Sequence, residues 1–164
     1  MAGPRRHPDP RGGSSGPRSA GVAAVKPLLV FPDVQSAGAG VLRQALAGRA
    51  EPYAAGARVG TRVPGDRSPE TPDLPFVLIR LDTSLPHGSG ANVRCTLRVT
   101  VWHEDADQAH DLAQLAMGLL VAHDGTVLRS VRYATGPLPA TDPDSGIDLS
   151  TFTVTANARP AVLA

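Results

Sequence analysis

Val93-Arg94-Cys95-Thr96-Leu97-Arg98-Val99-Thr100-Val101-Trp102-His103 alternates apolar and polar side chains along almost its whole length. Successive side chains of a β-strand point to opposite faces of its sheet. Val93, Cys95, Leu97, Val99 and Val101 therefore share one face, while Arg94, Thr96, Arg98, Thr100 and Trp102 share the other. Alternation sustained over this length predicts an antiparallel strand with one face on the core and one wetter face. A slip of one residue would expose the whole apolar set, so the register is expected to be firmly fixed.

Working outward, Phe76-Val77-Leu78-Ile79-Arg80-Leu81-Asp82 is a nearly continuous apolar run, which predicts a central strand over 76–82. Val59, Thr61 and Val63 alternate with Arg58, Gly60 and Arg62, which predicts a strand over 58–63. The Pro-rich stretch 64–75 is long for a hairpin connection, and 83–92 reads as a flexible hairpin loop. A helix is predicted over 33–48, with Asp33 as N-cap and Gly48 at its C-terminal end. Its apolar face is Val34, Ala37, Val41, Leu42, Ala45 and Leu46. Gly38 and Gly40 weaken that helix, and would make sense where another backbone packs closely. Asp105 and Gln108 have capping-box spacing and open a second helix, with a stripe of Ala109, Leu112, Ala113, Ala116, Leu119 and Leu120 widened by Leu115 and Met117. Strands are predicted over 126–133 and 151–157, with a Pro/Gly loop across 136–150. The order is α-β-β-β-α-β-β. The expected class is α+β: a mainly antiparallel sheet of four to five strands with two helices packed on one face.

The chain has 164 residues, which favours one domain plus a tail. Aromatic residues make up only 4%, so the core must be mainly Val, Leu and Ala, and such a thin core invites completion by a partner. Residues 1–26 are rich in Pro and Gly and carry Arg5, Arg6, Arg11 and Arg18, so a basic disordered arm is expected there and a single folded domain over 27–164. The arm has no apolar segment of signal-peptide type, and no stretch nears the roughly 18 apolar residues of a membrane span, so neither export nor a membrane partner is expected. Formal net charge is +1, which argues against a chain built throughout as a polyanion binder. Lys26 is the only lysine, and the wealth of Ala, Gly, Pro and Arg fits a GC-rich genome. The lone cysteine, Cys95, reads as a small buried hydrophobe in a strand.

One cluster has the residue types of a site: His103-Glu104-Asp105-Ala106-Asp107-Gln108-Ala109-His110. It lacks the spacing that presents two imidazoles to one zinc ion. Acids at a helix N-terminus also have a simpler role, because they complement the helix dipole. Capping is therefore expected, with a metal site at His103, Asp107 and His110 as the alternative. His87, Ser89 and His123 lie in no recognisable catalytic motif, and the glycines form no phosphate-binding pattern. No catalytic, cofactor-binding or metal residue is expected, nor a small-molecule substrate. Arg80, Arg94, Arg98 and Trp102 share the wetter sheet face, which would suit a neighbouring subunit, or single-stranded nucleic acid through stacking on the tryptophan.

Several of these phrases together resemble the tail terminator (tail completion) proteins of long-tailed phages and related prophages of high-GC actinobacteria. They are the helix from Asp33-Val34-Gln35 to Leu46, Arg58-Val59-Gly60-Thr61-Arg62-Val63-Pro64, Phe76-Val77-Leu78-Ile79-Arg80, Val99-Thr100-Val101-Trp102-His103, the helix from Asp107 to Val121, and Gly136-Pro137-Leu138 with the acidic loop Asp142-Pro143-Asp144-Ser145-Gly146. The resemblance spans residues 30–160 and leaves out the arm. It implies an α+β protomer that closes into a ring, typically a hexamer, on the head-proximal end of the tail tube. Such a ring stops tube polymerisation and offers the surface that joins the filled head. Implied partners are the chain itself, the major tail tube protein and the head–tail connector or stopper. The implied location is the virion tail, after assembly in the host cytoplasm, with no enzymatic activity and no cofactor. On this reading Arg80, Arg94, Arg98 and Trp102 face a subunit or the lumen, and Arg67, Glu70, His87 and Asn92 mark the loops that touch tube or neck. A head–tail adaptor or stopper of the neck is the alternative in the same setting. Small metal-binding and nucleic-acid-binding domains are the alternatives outside it.

Overall fold

The computed structural model describes residues 3, 28–65, 73–87 and 92–163. The basic arm apart from Gly3, and the expected contact residues Arg67 and Glu70, lie outside the described residues. The elements run β1 (Leu28–Val30), α1 (Val34–Leu46), a 3-10 turn (Pro52–Ala54), β2 (Arg58–Gly60), β3 (Phe76–His87), β4 (Asn92–Trp102), α2 (Ala106–Val121), β5 (Leu128–Thr141), β6 (Asp148–Ala158) and β7 (Ala161–Leu163). The main sheet is five-stranded in the order β2-β3-β4-β6-β5, and β1 and β7 form a separate two-stranded ribbon. The class is α+β, as the patterning predicts. The sheet, however, is mixed. β2 runs parallel to β3, and the other pairs are antiparallel. A parallel pair cannot be joined by a tight hairpin, which accounts for the length of the Pro-rich stretch before β3.

The decisive strand forms as expected and lies in the middle of the sheet. Val93, Cys95, Leu97, Val99 and Val101 are buried, and their partners across β6 are Ala158, Ala156, Val154, Phe152 and Ser150. Both helices pack on this face and enclose one core with Val77, Ile79, Leu128 and Val131. Burying a side chain the size of Leu42 or Phe152 stabilises the fold by roughly 1.5–3 kcal/mol. Asp33 caps α1 by accepting from the Ser36 amide at 3.0 Å, and Asp105 caps α2 by accepting from the Gln108 amide at 2.9 Å.

The buried side of α1 is Val34, Gly38, Ala39, Leu42 and Leu46, rotated from the expected stripe, so that Ala37 and Val41 are only partly buried. Gly38 explains the rotation. A Cβ there would lie 3.2 Å from Leu97 Cδ1 and 3.7 Å from Ile79 Cδ1, so its absence lets the helix settle onto β3 and β4. The close neighbours are side chains rather than the backbone expected. Gly40 has open space around it and no such role.

The carboxy-terminal half departs further from the sequence reading. The expected loop over 136–150 is mostly strand: β5 continues to Thr141, and only residues 142–147 turn the chain into β6. Pro137 and Pro139 read as loop signals, but β5 is an edge strand and pairs only with β6. Prolines are tolerated there because no second neighbour needs their missing N–H. Register shifts between Tyr133 and Leu138 further mark β5 as an irregular edge. β3 is longer than expected and reaches His87, and β2 is shorter, ending at Gly60. β1 and β7 were not legible, since each is a three-residue strand.

Candidate functional site

With both helices on one side, no described element covers most of the other face of the sheet. Register fixes its occupants. Arg80 stands opposite Arg98 across β3 and β4, and Leu85 opposite Arg94. Thr96, Arg98 and Thr100 pair with Thr155, Thr153 and Thr151 of β6, and on β5 Arg132, Thr135 and Leu138 continue these rows. Arg80, Arg94, Arg98 and Arg132 are exposed, and the threonines of β4 and β6 are half-buried between them. Thr100 and Thr151 hydroxyls lie 3.4 Å apart, and those of Thr135 and Thr153 lie 2.9 Å apart, so hydroxyls pair across the strands at two places on the face. Like charges directly opposite one another are unfavourable. Arg98 is relieved by Asp82, whose Oδ2 accepts from Nη2 at 2.9 Å and from Nε at 3.1 Å. A shallow depression at one end is lined by Arg94, Ser130, Arg132, Thr155 and Asn157. Asn157 Nδ2 donates to Ser130 Oγ at 2.9 Å and holds its floor.

Three of the four residues singled out on this face, Arg80, Arg94 and Arg98, are exposed together as expected. Trp102 is not. It points to the same side but is 7% exposed, in a second small apolar cluster with Phe76 and Leu78, against Leu74, Ile147 and Leu149. Its ring centroid is 6.0 Å from that of Phe76, and its Nε1 donates to Asp142 Oδ2 at 2.9 Å. The turn after β5 is clamped by the same Asp142, which accepts from the Ser145 hydroxyl at 2.9 Å and the Asp144 amide at 3.1 Å. Trp102 therefore offers no open ring for a base to stack on. The sequence placed its side chain on the correct face but could not show the cover, because Leu74, Ile147 and Leu149 come from stretches read as loop. This second cluster also explains the unbroken apolar run of β3. Val77 and Ile79 face the helices, while Phe76 and Leu78 face the tryptophan.

Arg132 belongs to the face and was missed. Its alternation with Val131 marks it as lying opposite the core, but only the register with Thr155 brings it near Arg94. Asn92 is exposed at the start of β4 and pairs with His87 at the far end of the β3–β4 hairpin, so those two expected contact residues share one tip.

The histidine and acid cluster does not assemble. His103 is buried, and its Nδ1 accepts from the Asp105 amide at 3.4 Å, while Asp105 serves as the helix cap. Among the described residues, no three His, Cys, Asp or Glu side chains come together in a way that could hold a metal ion. Cys95 is buried, and its thiol donates to the Ala156 carbonyl at 3.4 Å. Burial holds the thiol above its ordinary pKa, which leaves less of the reactive thiolate. No described helix is long and apolar enough to cross a membrane.

The chain matches none of the family models and none of the curated proteins with which it was compared.

Proposed function

We propose that this chain is a structural subunit of phage tail assembly, a tail terminator that caps the head-proximal end of the tail tube and presents the surface for head–tail joining. The observation that carries the reading is the uncovered sheet face. Among the described residues the five-stranded sheet has its helices on one side, and the other side carries exposed arginines and cross-strand threonine pairs. Such a face suits contact with another protein surface. The order of elements over residues 30–160 supports the same reading through its resemblance to terminator proteins. On this account the protomers close into a ring, the partners are the major tail tube protein and the connector or stopper, and the location is the virion tail. The protein acts through contact alone, with no catalysis and no cofactor.

The test is deletion of its gene from the phage or prophage that carries it, followed by electron microscopy of the particles. A terminator's loss should give overlong tubes and filled heads without tails. Tails of normal length joined to heads would sink the proposal.

A further inference from the structure

The open sheet face and the exposed side of α2 carry charges of opposite sign. The open sheet face presents Arg80, Arg94 and Arg132. α2 packs on the other side of the sheet through Ala109, Leu112, Ala113, Ala116 and Leu120, and its exposed side carries Asp107 and Asp111, with exposed Glu104 just before the cap Asp105. Asp107 and Asp111 are four apart and lie on one stripe of the helix, while Glu104 precedes its cap. Glu104 and Asp107 sit at the helix start, where negative charge is favoured. Asp111 lies beyond the first turn, and it stands four residues from Asp107, a spacing at which like charges repel. No ion pair among the described residues offsets it. The ion pairs among the described residues are Arg49–Glu51, Arg58–Asp73 and Arg98–Asp82, and none includes Arg94, Arg132, Asp107 or Asp111. The whole chain is nevertheless close to neutral, at +1. Arg94 and Arg132 on one side, and Asp107 and Asp111 on the other, are thus left outside the ion pairs of the described residues.

We infer that the arginine face of one copy docks on the acidic α2 stripe of the next copy, through Arg94 and Arg132 against Asp107 and Asp111. The occupant of the face is a second copy of this chain, argued from charge complementarity between two of its own surfaces. The contact is heterologous, because each copy uses two different patches, and such contacts form a ring when their rotation closes. This inference deepens the proposed function and rests on its ring-forming protomer. It adds which surfaces meet.

The experiment is sedimentation velocity on the full chain, at low ionic strength and at about 1 M salt, where the Debye length falls to roughly 3 Å. The variants are R94E/R132E, D107R/D111R, their equimolar mixture, and one chain carrying all four changes. The wild type should assemble at low salt and dissociate at high salt. Each double variant alone should associate at least about a hundredfold more weakly, since like charges then meet across the contact. The mixture and the fourfold variant should both recover assembly, because every contact again joins opposite charges. Recovery would also show that the double variants are folded. Double variants that assemble like the wild type would overturn the docking surfaces and leave the ring reading intact. Loss without recovery, in chains that keep the wild-type circular dichroism spectrum, would overturn the charge pairing. A wild type that stays monomeric at every concentration and on isolated tail tubes would remove the ring reading and this inference with it.

Discussion

Ser150 carries a hydroxyl into the core on the helix side of β6, fully buried, with no hydrogen-bond partner for its Oγ among the described residues. An unsatisfied buried hydroxyl costs roughly 1–3 kcal/mol. Ser150→Ala should therefore raise stability by about 1 kcal/mol in urea unfolding, and a lower midpoint would show that the hydroxyl is bonded after all. Asp33 shows a polar side chain placed well. Its carboxylate accepts from the Ser36 amide and the Ser36 hydroxyl, and both bonds hold its pKa below the ordinary value. A lowered folded pKa contributes stability that is present above the unfolded value and is lost as pH falls through the folded one. Asp33→Ala should cost about 1 kcal/mol at neutral pH, with the gap to wild type closing in acid, while Asp33→Asn should keep a cap that does not titrate. A gap that stays constant into acid would remove the carboxylate from the account. Cys95 is shielded by the sheet and by its bond to Ala156, so thiol reagents should label it only on unfolding. Fast labelling of the native protein would contradict the burial.

At the scale of elements, the helices, β4 and β6 were legible because each repeats a period over many residues. The alternation of β4 stated which residues are buried, and the caps at Asp33 and Asp105 marked both helix starts. What could not be read depended on neighbours. Pro137 and Pro139 mean a loop in isolation and an edge strand once β5 is seen to lack a second partner. The parallel pairing of β2 leaves no trace in Arg58–Gly60 themselves. The candidate face divided the same way. Arg80, Arg94 and Arg98 followed from alternation, whereas the role of Arg132 needed the β5–β6 register and the burial of Trp102 needed the turn at residues 142–147. The two glycines of α1 give a test at this scale. Gly40→Ala fills open space and should stabilise by up to about 1 kcal/mol, the helix propensity difference. Gly38→Ala places a methyl 3.2 Å from Leu97 Cδ1 and should gain less or lose stability. Equal gains at the two positions would refute the close packing of α1 on the sheet.

Across the described residues, one sheet side is closed by helices and the other presents a polar surface, and the separate β1–β7 ribbon leaves Leu28 and Val162 exposed. An isolated two-stranded ribbon is marginal in water, and exposed apolar residues at such a place fit a protomer completed by its neighbours. The strand at 93–102 places the core on one of its faces, and the proposed contact surface lies on its reverse. The most direct measurement of the central claim is electron microscopy of tail tubes assembling from purified tube protein in the presence and absence of this chain. The account predicts a ring of this protein at one end of each tube and elongation halted at that end. Bare ends, with the length distribution unchanged by the protein, would contradict it.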